Sequence, residues 1–356
     1  MISRRDFLST LAAASLAPKL SAEDSAKPRA KIKLGFDNFS IRAMGWKAPQ
    51  LLDHAASLKC DVLFISDLDA YDSLEDAALA EVRRRAADLG IEIYAGGWSI
   101  CPTSVRFKMS WGGAEALLRT GIRVAKALGS PVFRCVLGGM EDRKTPGGIR
   151  ARMADTVKVL KSCRSLALDA GVKVAIENHA GDMHSWELAD MINDAGADFV
   201  GATLDSGNAT WTLEDPLDVL ENLGRYTFCS GTRDSMVWET EDGASVQWTA
   251  PGDGLVDWKK FAARWAELCP LAPVCVESIS GFAKNFAYKK PEFWEHYDKR
   301  PEAFAHFEAM AKRGHALPPF KAEGPDKKKL EQEYQLSQLA RSINYLREEI
   351  GLGMRA

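Results

Sequence analysis

Apolar and polar positions fall in alternating blocks along this chain. From residue 31, short runs rich in β-branched and aromatic residues recur: KIKLGFD (31–37), CDVLFIS (60–66), IEIYAGG (91–97), PVFRCVL (131–137), VKVAIEN (172–178), VGATLD (200–205), YTFCSGT (226–232) and APVCVES (272–278). Such runs suit buried strands. Helix-period segments lie between them. SLEDAALAEVRRRAADLG (73–90) predicts a helix with Ser73 as its N-cap and Gly90 past its end. DPLDVLENLG (215–224) predicts another, capped by Asp215, opened by Pro216 and stopped at Gly224. Eight strands separated by helices imply parallel pairing through right-handed crossovers. Eight units in about 250 residues fit a closed (β/α)₈ barrel. An open doubly wound sheet would carry a glycine-rich phosphate turn after its first strand, and GFDNFSIR offers none. The expected fold is therefore α/β, a (β/α)₈ TIM barrel over 31–282.

About 75 residues follow the eighth strand, far more than one closing helix needs. PEFWEHYDKRPEAFAHFEAMAKRG (291–314) reads as helical with a proline break. A last helix near 326–350 carries an apolar stripe of Leu336, Leu339, Ile343, Leu346 and Ile350. This C-terminal helical extension, 283–356, packs either on its own barrel or against another subunit of a homo-oligomer. At the other end, Arg4-Arg5, then Phe7-Leu8 and a short alanine-rich run, read as an export signal over residues 1–22. The paired arginines resemble the signal of the twin-arginine export pathway. An ordinary secretory signal is the alternative. The apolar run is too short to span a bilayer.

Composition narrows the class further. With 356 residues and 46% hydrophobic content, the chain can bury a core of barrel size. A formal net charge of −3 without a basic stripe provides no pull toward nucleic acid or anionic membranes. Seven cysteines without CxxC spacing read as small buried hydrophobes rather than a disulfide framework. Export of an already folded protein, the habit of the twin-arginine route, reconciles that with a destination outside the cytoplasm.

In a TIM barrel, chemistry sits at the C-terminal ends of the strands. Here those ends read Asp37-Asn38, Ser66-Asp67, Gly97-Trp98, Arg134, Glu177-Asn178-His179, Asp205, Arg233-Asp234 and Glu277. Glu177, Asp205 and Glu277 should therefore converge. Three carboxylates in one concavity repel each other and need a cation, a shifted protonation or strong donors. A divalent metal ion answers that need with oxygen ligands; three unrelated solvated acids are the plainer alternative. Arg134 interrupts an apolar strand, so it should point at a carboxylate or a ligand oxygen. Arg233 is the second positive group at the rim.

VAIENH, TLDSGN, GTRDS and VESISG, in that order and spacing, resemble the xylose isomerase-like TIM-barrel superfamily, over roughly residues 31–282. The resemblance implies a metal-dependent sugar isomerase or epimerase, holding one divalent cation (Mn²⁺, Mg²⁺, Co²⁺ or Zn²⁺) on a Glu, an Asp, a His and a second Glu. Glu177, Asp205 and Glu277 match the three carboxylates. The chain departs from the pattern at strand seven: Gly231 stands where the ligand histidine would be. Water, substrate or another side chain must then complete the set, and Gln247 is the side-chain candidate. The implied chemistry is proton transfer by Glu177 and Glu277 beside a carbonyl, through an enediolate. His179, Asn208, Arg134, Arg233 and Trp98 are the candidate substrate contacts, with Trp238 or Trp248 as further stacking surfaces. His179 could equally satisfy its own loop, and Asn208 could cap the turn after Asp205. Elimination from a keto-glycoside and a metal-free carbohydrate-binding barrel remain as alternatives. The superfamily's histidine-rich DNA-repair endonucleases fit poorly, because the chain has six histidines and no basic stripe.

Overall fold

The structure is a computed structural model that describes residues 32–355. The export signal read over residues 1–22 lies outside the described residues. Eleven strands are present among the described residues: β1 (Leu34–Asp37), β2 (Val62–Ile65), β3 (Glu92–Ser99), β4 (Val132–Val136), β5 (Lys173–Glu177), β6 (Val200–Asp205), β7 (Thr227–Gly231), β8 (Asp234–Thr240), β9 (Gly243–Thr249), β10 (Val274–Val276) and β11 (Ala283–Phe286). β1 to β7 and β10 form one parallel sheet in the order β10-β1-β2-β3-β4-β5-β6-β7. It curls almost into a closed barrel. Thr232 bridges to Val276 across the remaining seam, donating from its amide to the Cys275 carbonyl at 2.7 Å and accepting from the Glu277 amide at 2.9 Å. The eight runs read from the sequence are these eight strands.

The barrel's interior explains why charge collects at one end. Val132, Ala175, Cys229 and Cys275 belong to a small apolar cluster with Val62, Phe64 and Tyr94. Successive side chains along a strand alternate faces, so the residues two positions on share that inward face. They are Arg134, Glu177, Gly231 and Glu277. Each strand thus runs from an apolar floor to a polar mouth. The larger core lies between the sheet and its helices.

Two features depart from the expectation. The helix of the second unit spans Asp76–Asp88 with Glu75 at its N-cap, and the Ser73 hydroxyl accepts from the Glu75 amide instead of capping the helix. After β7 the chain makes an antiparallel three-stranded sheet, β11-β9-β8, where the sequence suggested only loop. Its apolar face packs with the helix Phe304–Arg313 around Trp211, Trp248, Phe286 and Phe307. The last helix, Lys327–Glu348, packs on its own barrel, one of the two placements expected, with Leu339, Ile343 and Leu346 buried in the main core. It also binds the loop after β1, where the Ala43 amide donates to Gln335 and Gln332 donates to the Ala43 carbonyl. All seven cysteines are buried free thiols. Among the described residues no helix is long and apolar enough to cross a membrane.

Candidate active site

Glu177, Asp205 and Glu277 meet at the barrel mouth, each offering an oxygen within 4.8 Å of the others. All three are buried. By donor type and spacing they could hold a metal ion. Two arginines accompany them. Arg134 donates from Nε to Glu177 Oε2 at 2.6 Å and from Nη1 to the Gly97 carbonyl at 3.0 Å. Arg233 donates from Nη2 to Glu277 Oε2 at 2.7 Å and also to Asp205 Oδ2. Asn208 ties the group together, donating to Glu177 Oε1 at 3.1 Å and to Asp205 Oδ2 at 2.7 Å. Asp205 itself caps the helix Ser206–Trp211 through its Oδ1.

A fourth carboxylate, Asp37 at the end of β1, completes the cluster. It accepts from Ser66 Oγ at 2.6 Å and from the Phe39 amide at 2.8 Å. It stood among the strand ends, but nothing in its local sequence distinguished it from a turn-forming aspartate. Four carboxylates against two guanidinium groups leave the cluster short of positive charge. Burial pushes Asp205 up to about 8, with Glu277 and Glu177 adding to the rise and Arg233 opposing it. Burial likewise raises Glu177 to about 7 against the pull of Arg134, and Asp37 to about 7 with help from Glu277. A divalent ion on Glu177, Asp205 and Glu277 fits that charge deficit.

These shifts predict a pH-dependent stability. The folded pKa of Asp205 lies above its unfolded value, so the fold binds the proton more tightly. That stabilisation is whole below about pH 3.9 and is lost as pH rises through about 8. In metal-free buffer the urea midpoint should fall between about pH 5 and pH 8, and Asp205→Asn should flatten the fall. An unchanged slope in the variant would refute the assignment.

Above the cluster opens a cavity of about 480 Å³. Trp98, Trp111, Trp211, Trp248, Phe39 and Phe282 form its aromatic wall. Arg134, His179, Asn208, Arg233 and Glu277 present its polar groups. Of the three expected metal-ligating carboxylates, only Glu277 lines the cavity; Glu177 and Asp205 sit behind Arg134, Asn208 and Arg233. Glu277 Oε1 takes no hydrogen bond from the described residues. His179 Nδ1 lies 2.6 Å from the Gly138 carbonyl, which can only accept. That nitrogen therefore carries the proton, and Nε2 is left as an acceptor. Burial, with Arg134 adding to it, lowers the His179 pKa to about 3, so the ring stays neutral. Trp98 meets the His179 ring edge-on at 5.5 Å and anchors its own Nε1 on the Arg106 carbonyl.

The structure does not bring Gln247 to the carboxylates. Trp248 next to it on β9 faces the cavity, so Gln247 lies on the opposite face of that strand, buried but not lining the cavity. Asn178 also turns away: it exchanges two hydrogen bonds of 2.8 Å with the Asp205 backbone and so locks β5 to β6. Asp234 accepts from three backbone amides and from Trp258 Nε1, holding the loop after β9. At Gly231, a Cβ would come within 2.8 Å of Glu277 Oε2. The place of a side chain there is taken by the Glu277 carboxylate.

A family model described as xylose isomerase-like TIM barrel matches residues 50–295. No curated protein matches the sequence. Among solved structures, D-psicose 3-epimerase is similar at TM-score 0.59 and 15% identity, covering 90% of this chain and 100% of its own. L-ribulose 3-epimerase aligns at TM-score 0.55 and 14% identity, covering 91% and 100%. The IOLI protein with a binding zinc atom aligns at TM-score 0.56 and 17% identity, covering 78% and 96%. At these identities the solved structures establish a shared fold.

Proposed function

The chain belongs to the xylose isomerase-like TIM-barrel family, and we propose that it is a sugar isomerase or epimerase that moves a proton beside the carbonyl of a sugar or keto-sugar. The observation that carries this reading is Glu277. Its Oε2 is held by Arg233, and its Oε1 is uncommitted at the floor of an aromatic-walled cavity. A carboxylate so placed can take a proton from carbon and return it to the other face or to the neighbouring carbon. Arg134 and His179 border the same space; Arg134 can donate to a substrate oxygen, and neutral His179 can accept from a hydroxyl through Nε2. The aromatic wall suits the apolar face of a sugar ring.

Glu177, Asp205 and Glu277 are the residues that would hold a divalent cation, of the Mn²⁺, Mg²⁺, Co²⁺ or Zn²⁺ kind. Such an ion, when bound, supplies Lewis-acid polarisation of a carbonyl. Glu177, seated behind Arg134 and Asn208, would then serve as a ligand besides anchoring Arg134, while Glu277 faces the cavity. The epimerase relatives of the same fold support this reading over elimination.

The test is exchange with solvent. Ketoses and keto-glycosides incubated with the protein and Mn²⁺ in D₂O should take up deuterium at the carbon beside the carbonyl, read by NMR. Absence of exchange across such a panel, with the protein folded, would refute the proposal. Release of a β-substituent instead of an epimer would transfer the site to the lyase reading.

A further inference from the structure

Arg233 is seated with unusual care for a side chain that leaves two of its own donors unused. Its side chain passes directly over Gly207, where a Cβ would lie 2.2 Å from its Cγ and 2.5 Å from its Cδ. Its guanidinium carbon lies 4.3 Å from the Trp248 ring centroid, and Trp248 Nε1 is itself fastened to the Gly207 carbonyl at 2.8 Å. Ser206 Oγ accepts from the Arg233 amide at 3.1 Å and donates to its carbonyl at 2.6 Å. A glycine, a serine and a tryptophan from two elements thus form one cradle. Yet Arg233 Nε and Nη1 are buried and make no hydrogen bond to the protein. All its polar side-chain contact runs through Nη2, to Asp205 and Glu277. Each buried donor left unpaired is a cost. The seat is therefore held by charge and stacking rather than by complete hydrogen bonding.

Those two carboxylates are also two of the three that could hold a metal ion. We propose that Arg233 is an internal cation that competes with a divalent metal ion for Asp205 and Glu277. Its Nη2 donates to both carboxylates, so Asp205 and Glu277 would have to give up that partner to hold a divalent ion. Metal affinity is consequently low in the wild type, and it is set by Arg233 rather than by the carboxylates alone. Gly231 belongs to the same device. Its missing side chain lets the Glu277 carboxylate occupy the inward position of β7 and reach Arg233. The proposal rests on the carboxylate cluster being a cation site and does not depend on the sugar reaction.

The experiment titrates full-length protein with Mn²⁺ and reads free Mn²⁺ by electron paramagnetic resonance, without substrate. Wild type, Arg233→Ala, Arg233→Lys and Gly207→Ala are compared. Arg233→Ala should bind one Mn²⁺ per chain about tenfold or more tightly than wild type, the scale of losing a charge-assisted competitor. Gly207→Ala keeps the charge but pushes the arginine out of its cradle, so it should also gain affinity, and it keeps the test decisive should Arg233→Ala fail to fold. Arg233→Lys, a compact cation without the planar stack, should fall between wild type and alanine. Mn²⁺ should raise the melting temperature of Arg233→Ala more than that of wild type. Equal affinity in wild type and the folded variants would overturn the proposal. Weaker binding in Arg233→Ala and Gly207→Ala would overturn it too, because the arginine would then be helping to hold the ion. Sugar turnover could fail in every protein without touching either result.

Discussion

Glu277→Gln should lower turnover by about 10²–10⁴-fold, the range for removing a positioned general base, with little change in KM when its Mn²⁺ content matches that of the wild type, since Glu277 would also be a ligand of that ion. The amide keeps the shape of the side chain and an oxygen for Arg233 to donate to, but it cannot take a proton from carbon. A loss in kcat with KM preserved marks an interaction made only as the proton moves. The variant also leaves Arg233 one anion short, so its fold should be checked by thermal melting in the same buffer. Asp205 still partners the guanidinium, which limits the structural cost. Deuterium uptake from D₂O, measured on the same ketose, reports the chemical step directly. Wild-type exchange in a folded Glu277→Gln protein would end the case for Glu277 as the base and move attention to His179, whose Nε2 is a free acceptor at the cavity.

The second large effect concerns stability. Leu339 and Ile343 lie one turn apart on the last helix and are wholly buried against the barrel. Leu339→Ala and Ile343→Ala should each cost about 2–5 kcal/mol, the range for truncating a buried aliphatic side chain. Their cavities adjoin, so the double variant need not equal the sum. Against a typical total of about 5–15 kcal/mol, the pair should leave little folded protein. Urea denaturation at pH 7 measures this. A midpoint unchanged in the double variant would show that the barrel is complete without the helix. The site should also respond, because the helix holds the loop that follows Asp37 through Gln332 and Gln335.

Much of this was legible in the order of residues. Each barrel strand is short and buried on both faces, so its apolar run stands out without tertiary context. Parallel pairing and the barrel's polarity then follow from handedness and connection rules. Once strand ends are known, Glu177, Asp205, Glu277, Arg134 and Arg233 must share one mouth, because inward positions repeat every two residues. His179 stood among the strand ends and Asn208 was named through the family resemblance; both border the cavity.

What the linear chain could not convey was which donor meets which acceptor. Arg134 and Arg233 read equally well as substrate contacts or as partners of the carboxylates; only three-dimensional approach puts Arg233 on two acids and Arg134 on one. Gln247 shows the same limit from the other side. Its chemistry suited a ligand, but a one-residue step along β9 decides which face a side chain takes, and Trp248 holds the face toward the site. Strand β9 itself was missed because SVQWT mixes polar and apolar residues and lacks the continuous apolar run of a barrel strand, although almost all of it is buried. The sequence by itself determined the barrel and the set of charged residues at its mouth, since both depend on local periodicity and strand order. The tertiary structure alone decided how those charges pair, which carboxylate meets the cavity, and that a helix some fifty residues beyond β10 packs into the barrel core. Those outcomes depend on contacts between residues far apart in sequence, and no local pattern encodes a distance between them.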